Sequence, residues 1–209
     1  MSRALVFDVG GVIVRWQPDD LMRQCFPAHT ADAATVARTK ALVFENHALD
    51  SDWAAYDRGE VEPDALAAQI ARRSGLPHEG LVALLESIPD HLQPMPASVA
   101  LLARLRDAGH RLALLSNMPR PYAEHLESTH DCFGWFGYRA WSGRLGLIKP
   151  ERAVFDHVQH ALGLADPSGS VFIDDHPVNV EAARRFGWQA LLFTSAEQCA
   201  AELAAAGWL

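Results

Sequence analysis

Paired cysteines are missing from this sequence: Cys25, Cys132 and Cys199 are odd in number, widely spaced and form no CxxC motif. This argues against a disulfide framework and against a zinc site, and a reducing compartment fits best. Long apolar runs are missing too. The run after Arg3 is broken at Asp8, too short for the hydrophobic part of a secretion signal and far short of a membrane span. A cytoplasmic location and no membrane partner are expected. Basic residues are in deficit, with 18 Lys and Arg against 26 Asp and Glu and a formal charge of −8. A nucleic-acid partner is disfavoured, because a binder of the phosphate backbone presents a basic face. The same deficit repels anions at long range, so any phosphate site must rest on locally placed cations and backbone N–H groups.

What is present is an ordinary folding composition: 209 residues, 49% hydrophobic and 21% charged, enough for one domain or a domain carrying an insertion. Four continuous apolar runs, at 4–7, 111–115, 170–173 and 189–193, have the pattern of strands buried on both faces. They alternate with amphipathic stretches at 96–108, 151–162 and 178–186, each followed by a glycine suited to a helix C-terminus. Strands alternating with helices imply a parallel sheet, and ligands of such sheets bind beyond the carboxyl ends of the strands. Asp8, Ser116, Asp174 and Asp175 stand at those ends and are expected to converge. Residues 17–93 break the alternation and read as helices near 19–26, 31–45, 51–58, 64–74 and 79–87. Inserted directly after the first strand and its turn, they would form a lid that excludes water.

Four segments carry the chemistry: Leu5-Val6-Phe7-Asp8-Val9-Gly10-Gly11-Val12-Ile13, Leu114-Leu115-Ser116-Asn117, Lys149-Pro150-Glu151 and Val171-Phe172-Ile173-Asp174-Asp175. In this order they resemble the haloacid dehalogenase (HAD)-like hydrolase superfamily, over nearly the whole chain. The resemblance implies an α/β fold with a Rossmann-like three-layer parallel-sheet core (1–16 and 94–209) and an inserted helical-bundle cap (17–93). It implies a Mg²⁺-dependent phosphomonoester hydrolase working through an aspartyl-phosphate on Asp8. Asp8, Asp175 and the Gly10 carbonyl would hold the metal, with Asp174 in the same shell. Ser116 and Lys149 would hold the phosphoryl oxygens. A carboxylate is a weak nucleophile against an anionic phosphate, so the chemistry needs this positive charge. The Asp-x-Gly-Gly-Val form is similar to a branch that includes a glucose-1-phosphate phosphatase and the phosphatase-like N-terminal domain of epoxide hydrolases. A small phosphorylated metabolite, such as a sugar phosphate, is the expected substrate.

One departure bears on mechanism: most phosphatases of this superfamily carry a second Asp two residues after the nucleophile, and here that residue is Gly10. General acid–base help is worth about 10²- to 10⁴-fold. His176 or a residue descending from the lid would have to supply it. The same departure keeps two other readings open: a dehalogenase, whose halide leaves without a proton, and a silent phosphate-binding protein that has lost the chemistry. Asn117 is either a helix cap or a substrate contact. Trp16, nearest the catalytic turn, is the first aromatic candidate to line a pocket; Trp53, Tyr56 and the 133–136 aromatic cluster fit core or pocket. Arg58-Gly59-Glu60 reads as an interhelical turn that either serves only as a turn or faces substrate. His157 and His160 form no zinc motif. The oligomeric state is left between monomer and homodimer.

Overall fold

The computed structural model describes residues 3–209. Five parallel strands, β1 (Ala4–Phe7), β2 (Leu112–Ser116), β3 (Tyr138–Trp141), β4 (Ser170–Asp174) and β5 (Gln189–Leu192), form one sheet in the order β3-β2-β1-β4-β5. β1, β2 and β4 are buried on both faces, as their unbroken apolar runs predict, whereas β5, for which the run at 189–193 carries the same expectation, is a sheet edge with none of its residues buried. The remaining strand is the one the sequence does not announce. In β3 only Ala140 and Trp141 are buried, while Tyr138 is half-buried and Arg139 exposed at the sheet edge, so no apolar run marks it.

Side chains alternate between two apolar layers. Leu5, Phe7, Leu114 and Ile173 face one layer, where they join Leu101 and Leu105 of α6 (Pro96–Asp107), Leu126 of α7 (Arg120–Thr129) and Leu203 of α11 (Ala196–Ala205). Val6, Ala113, Leu115 and Phe172 face the other, with Phe155 and Val158 of α9 (Arg152–Ala161) and Ala183 of α10 (Pro177–Phe186). Short α8 (Ser142–Leu145) follows β3 directly. The sheet is thus sandwiched between helices, a three-layer α/β architecture.

Between β1 and α6 lie α1 (Pro18–Cys25), α2 (Ala33–Phe44), α3 (Asp52–Asp57), α4 (Pro63–Ser74) and α5 (His78–His91). Local signals set their ends. Asp32 and Thr35 form a reciprocal cap at the start of α2, Ser51 Oγ accepts from Ala54 N–H at the start of α3, and Gly75, with φ of 74°, closes α4. The apolar faces of these helices pack on one another and run continuously into the layer that contains Leu5 and Phe7. The chain leaves and rejoins the sheet side by side, since Arg15 N–H donates to the Gln93 carbonyl and Met95 N–H to the Ile13 carbonyl. Among the described residues no helix is long and apolar enough to cross a membrane.

The register fixes where the polar residues meet. Phe7 is level with both Leu114 and Ile173, so Asp8, Ser116 and Asp174 emerge at the same edge of the sheet. β1 and β4 are adjacent although their connections run to opposite sides of the sheet. That topological switch opens a crevice at the strand ends.

Candidate active site

At that crevice lies a cavity of about 700 Å³ whose lining includes Asp8, Gly10, Trp16, Ser116, Asn117, Lys149 and Asp175. Lys149 is the organising charge. It is 3% exposed, and its ammonium lies 2.8 Å from Asp8 Oδ1 and 2.6 Å from Asp174 Oδ2. Burial favours the neutral amine, but Asp174 and Asp8 reverse that effect and hold the Lys149 pKa above its usual value. Asn117 positions this lysine. Its carbonyl oxygen accepts from Lys149 N–H at 2.7 Å, and its amide donates to the Lys149 carbonyl at 3.0 Å. The Asn117 amide is therefore spent on the Lys149 backbone rather than on capping α7, although Asn117 still borders the cavity.

The adjacent acids divide the work. Asp174 is fully buried; besides Lys149 it accepts from His176 N–H at 2.7 Å and from the Asn179 amide at 3.1 Å. Asp175 instead opens to the cavity beside Gly11, whose φ of +73° only a glycine adopts without strain. Ser116 is 2% exposed, borders the cavity, and its hydroxyl has no hydrogen-bond partner among the described residues.

Oxygen atoms of Asp8, Asp174 and Asp175 lie within 4.8 Å of one another. Burial raises the Asp8 pKa to about 7; Lys149 opposes the rise, while Asp174 and Asp175 add to it. The Asp175 carboxyl is also raised, first by burial and then by Asp174. Three carboxylates around one ammonium leave an excess of negative charge, and the exposed donors are hard oxygens. Such a set fits a divalent cation of the magnesium type.

Aromatic residues wall the cavity above this floor. Trp16, partly buried, meets Phe44 edge-on with ring centroids 6.0 Å apart, Phe44 meets Trp53 at 4.4 Å, and the chain continues through Tyr56 to Tyr122. Trp16, Phe44, Trp53 and Tyr122 border the cavity, whereas Tyr56 is packed behind them and the 133–136 cluster lies elsewhere in the core. Arg58 pairs with Glu151 and also donates to the Leu49 carbonyl. His176 borders the cavity at the start of α10.

Among the acidic residues that line the cavity, one is not singled out by the sequence. Asp57, the last residue of α3, comes from the inserted helices and borders the cavity together with Asp8. Burial raises its pKa to about 7, against the lowering effect of Lys149 and Arg58 and with a small further rise from Asp8. Its position next to Arg58-Gly59 was the only signal in the sequence, and spacing along a helix does not reveal which strand end a helix terminus will meet.

A parallel α/β sheet with three acids and a buried lysine gathered at its switch point has its candidate site where open sheets of this kind bind ligands. The chain belongs to the haloacid dehalogenase-like hydrolases, whose family model matches residues 2–187. It is 25% identical over 201 residues to the sesquiterpene phosphatase astK of Aspergillus oryzae, covering 96% of this chain and 94% of that protein. It is 26% identical to the drimenol cyclase drtB of Aspergillus calidoustus over 97% of this chain, but spans only 36% of that longer protein. Among solved structures, the HAD family enzyme bt-2542 of Bacteroides thetaiotaomicron, in complex with magnesium and inorganic phosphate, superposes with a TM-score of 0.68. The identity is 20%, covering 91% of this chain and 93% of that one. The L-2-haloacid dehalogenase of Xanthobacter autotrophicus gives a TM-score of 0.65 at 20% identity, covering all of this chain and 85% of that one.

Proposed function

We propose that this hydrolase is a Mg²⁺-dependent phosphomonoesterase in which Asp8 is the nucleophile. The observation that carries the reading is the position of Asp8: its Oδ1 lies 2.8 Å from the buried Lys149 ammonium, and its carboxylate belongs to a three-acid cluster at the floor of a large cavity. When bound by Asp8, Asp175 and the Gly10 carbonyl, Mg²⁺ would neutralise the floor and polarise a phosphoryl oxygen. The similarity to a sesquiterpene phosphatase and the magnesium and phosphate held by a structure of the same fold support this choice.

The chain's own residues divide the task. Asp8 attacks phosphorus in line and becomes an aspartyl-phosphate as the ester oxygen departs. Lys149 and the Ser116 hydroxyl hold the phosphoryl oxygens, so charge developing there meets donors already fixed in place. Asp174 and Asn117 fix Lys149, and Asp174 stays outside direct contact with substrate. Residues 17–93 act as a cap over the core formed by 1–16 and 94–209, excluding water while the ester is bound. The wall of Trp16, Phe44, Leu49, Trp53 and Ile88 favours an apolar alcohol half over a sugar, whose hydroxyls would lose their water partners against it. The name of the sesquiterpene phosphatase points the same way.

Release of inorganic phosphate from a panel of sugar, alkyl and prenyl monophosphates, with Mg²⁺ and with chelator, tests the reading. Hydrolysis of apolar esters that stops on chelation is expected. Halide release from a haloacid that survives chelation would replace this reading with dehalogenation.

A further inference from the structure

The phosphatase reading leaves one role unfilled. Departure of an alkoxide needs a proton, and hydrolysis of the aspartyl-phosphate needs a base for water. The acids and the lysine of the floor offer neither: Lys149 and Asp174 are committed to each other, and Asp8 and Asp175 are assigned to attack and metal. Position 10 has no side chain, yet space for one exists. A β-carbon there would meet only Trp16, at an ordinary 3.7 Å.

Asp57 borders the same cavity. Its main chain is locked to the core: Ser142 Oγ donates to the Asp57 carbonyl, Ser142 is fully buried, and the same hydroxyl accepts from Met118 N–H at 2.7 Å. Two residues on, Gly59 approaches Gly143 so closely that a β-carbon would stand 2.5 Å from the Gly143 carbonyl oxygen. Arg58 adds the ion pair to Glu151 at the start of α9. Three contacts thus fix the end of α3 against the core. By contrast, the Asp57 carboxyl has no hydrogen bond or ion pair among the described residues and borders the same cavity as Asp8. A partly buried carboxyl left unpaired on a clamped backbone costs stability, and groups that carry such a cost cluster at functional sites.

We infer that Asp57, delivered by the inserted helices, is the general acid and base that replaces the acid absent at position 10. In the first step Asp8 Oδ bonds to phosphorus, the ester P–O bond breaks, and its electron pair goes to the alcohol oxygen, which takes the Asp57 proton. In the second step Asp57 takes a proton from water as the water oxygen bonds to phosphorus. The Asp8–phosphorus bond breaks, phosphate leaves, and both acids return to their starting states. The burial-raised carboxyl, near pH 7, suits both directions of transfer.

The inference rests on the phosphatase reading, and the test separates the two. Wild type, Asp57→Asn and Asp8→Asn are assayed with Mg²⁺ on octyl phosphate, whose alkoxide must be protonated, and on p-nitrophenyl phosphate, whose leaving group needs no proton. Asp57→Asn should lose about 10²- to 10⁴-fold on octyl phosphate. On the nitrophenyl ester it should release a burst of about one nitrophenolate per enzyme and then turn over slowly, because the aspartyl-phosphate persists. The burst also shows that the variant is folded and its nucleophile intact. Octyl phosphate turnover within a few-fold of wild type overturns the inference while leaving Asp8 in place. So does loss of burst and turnover together, which marks a merely structural role. A wild type inert on both esters removes the phosphatase reading itself.

Discussion

A β-carbon on Gly11 would stand 2.2 Å from Asp175 Oδ2, so the left-handed turn after the first strand and the second acid of β4's terminus occupy complementary space. The acid can open to the cavity only because residue 11 has no side chain. Gly11→Ala should push Asp175 aside and add backbone strain at φ of +73°. By analogy with disturbed supports of metal ligands, Mg²⁺ affinity or turnover should fall about 10- to 100-fold. Titration of activity against Mg²⁺ reads this directly, and an unchanged Mg²⁺ dependence would remove Asp175 from the metal shell.

Lys149 neutralises two acids at once, so its loss should damage stability and chemistry together. Lys149→Met leaves Asp8 and Asp174 buried without their cation, a defect that typically costs about 3–5 kcal/mol. Denaturant unfolding in the absence of Mg²⁺ measures that cost. With saturating Mg²⁺ the turnover should still fall about 10²- to 10³-fold, because a fixed donor to the transferring group is gone.

Asp57 should be a stability liability in the metal-free protein. Its pKa is raised from 3.8 to about 7 in the folded chain. Below the unfolded value the group is protonated in both states and costs nothing. Between about pH 4 and pH 7 the unfolded chain gives up the proton first, so wild type loses stability relative to Asp57→Asn as pH rises, and above pH 7 the deficit is constant. Melting curves in chelator at pH 4 and pH 8 should therefore show similar midpoints at the lower pH and a variant several degrees more stable at the higher. A wild type more stable than the variant at pH 8 would show that the carboxylate is paired.

Much of the fold is legible in the amino-acid sequence. The three strands buried on both faces carry unbroken apolar runs, and their parallel alternation with helices fixed the end of the sheet at which Asp8, Ser116, Asp174 and Asp175 had to meet. Lys149 was identifiable from its Lys-Pro-Glu setting by resemblance, but its hold on both Asp8 and Asp174 depends on packing between distant segments. The edge strand β3 escaped because an edge needs only half its residues buried, and Arg139 breaks the pattern. Asn117 was readable only as a cap or a substrate contact, since a side-chain amide paired with a backbone 32 residues away leaves no local signature. Asp57 was invisible for a related reason: its meaning comes from the approach of Gly59 to Gly143 and from Ser142, all of them tertiary contacts.

In the proposed mechanism Asp8 itself becomes phosphorylated. Asp57→Asn mixed with Mg²⁺ and p-nitrophenyl phosphate, quenched in acid during the burst and digested, reports this by mass spectrometry. A phosphoryl group is expected on the peptide that contains Asp8, and none when Asp8→Asn is added. Steady hydrolysis with no such adduct, or full turnover by Asp8→Asn alone, would contradict that mechanism.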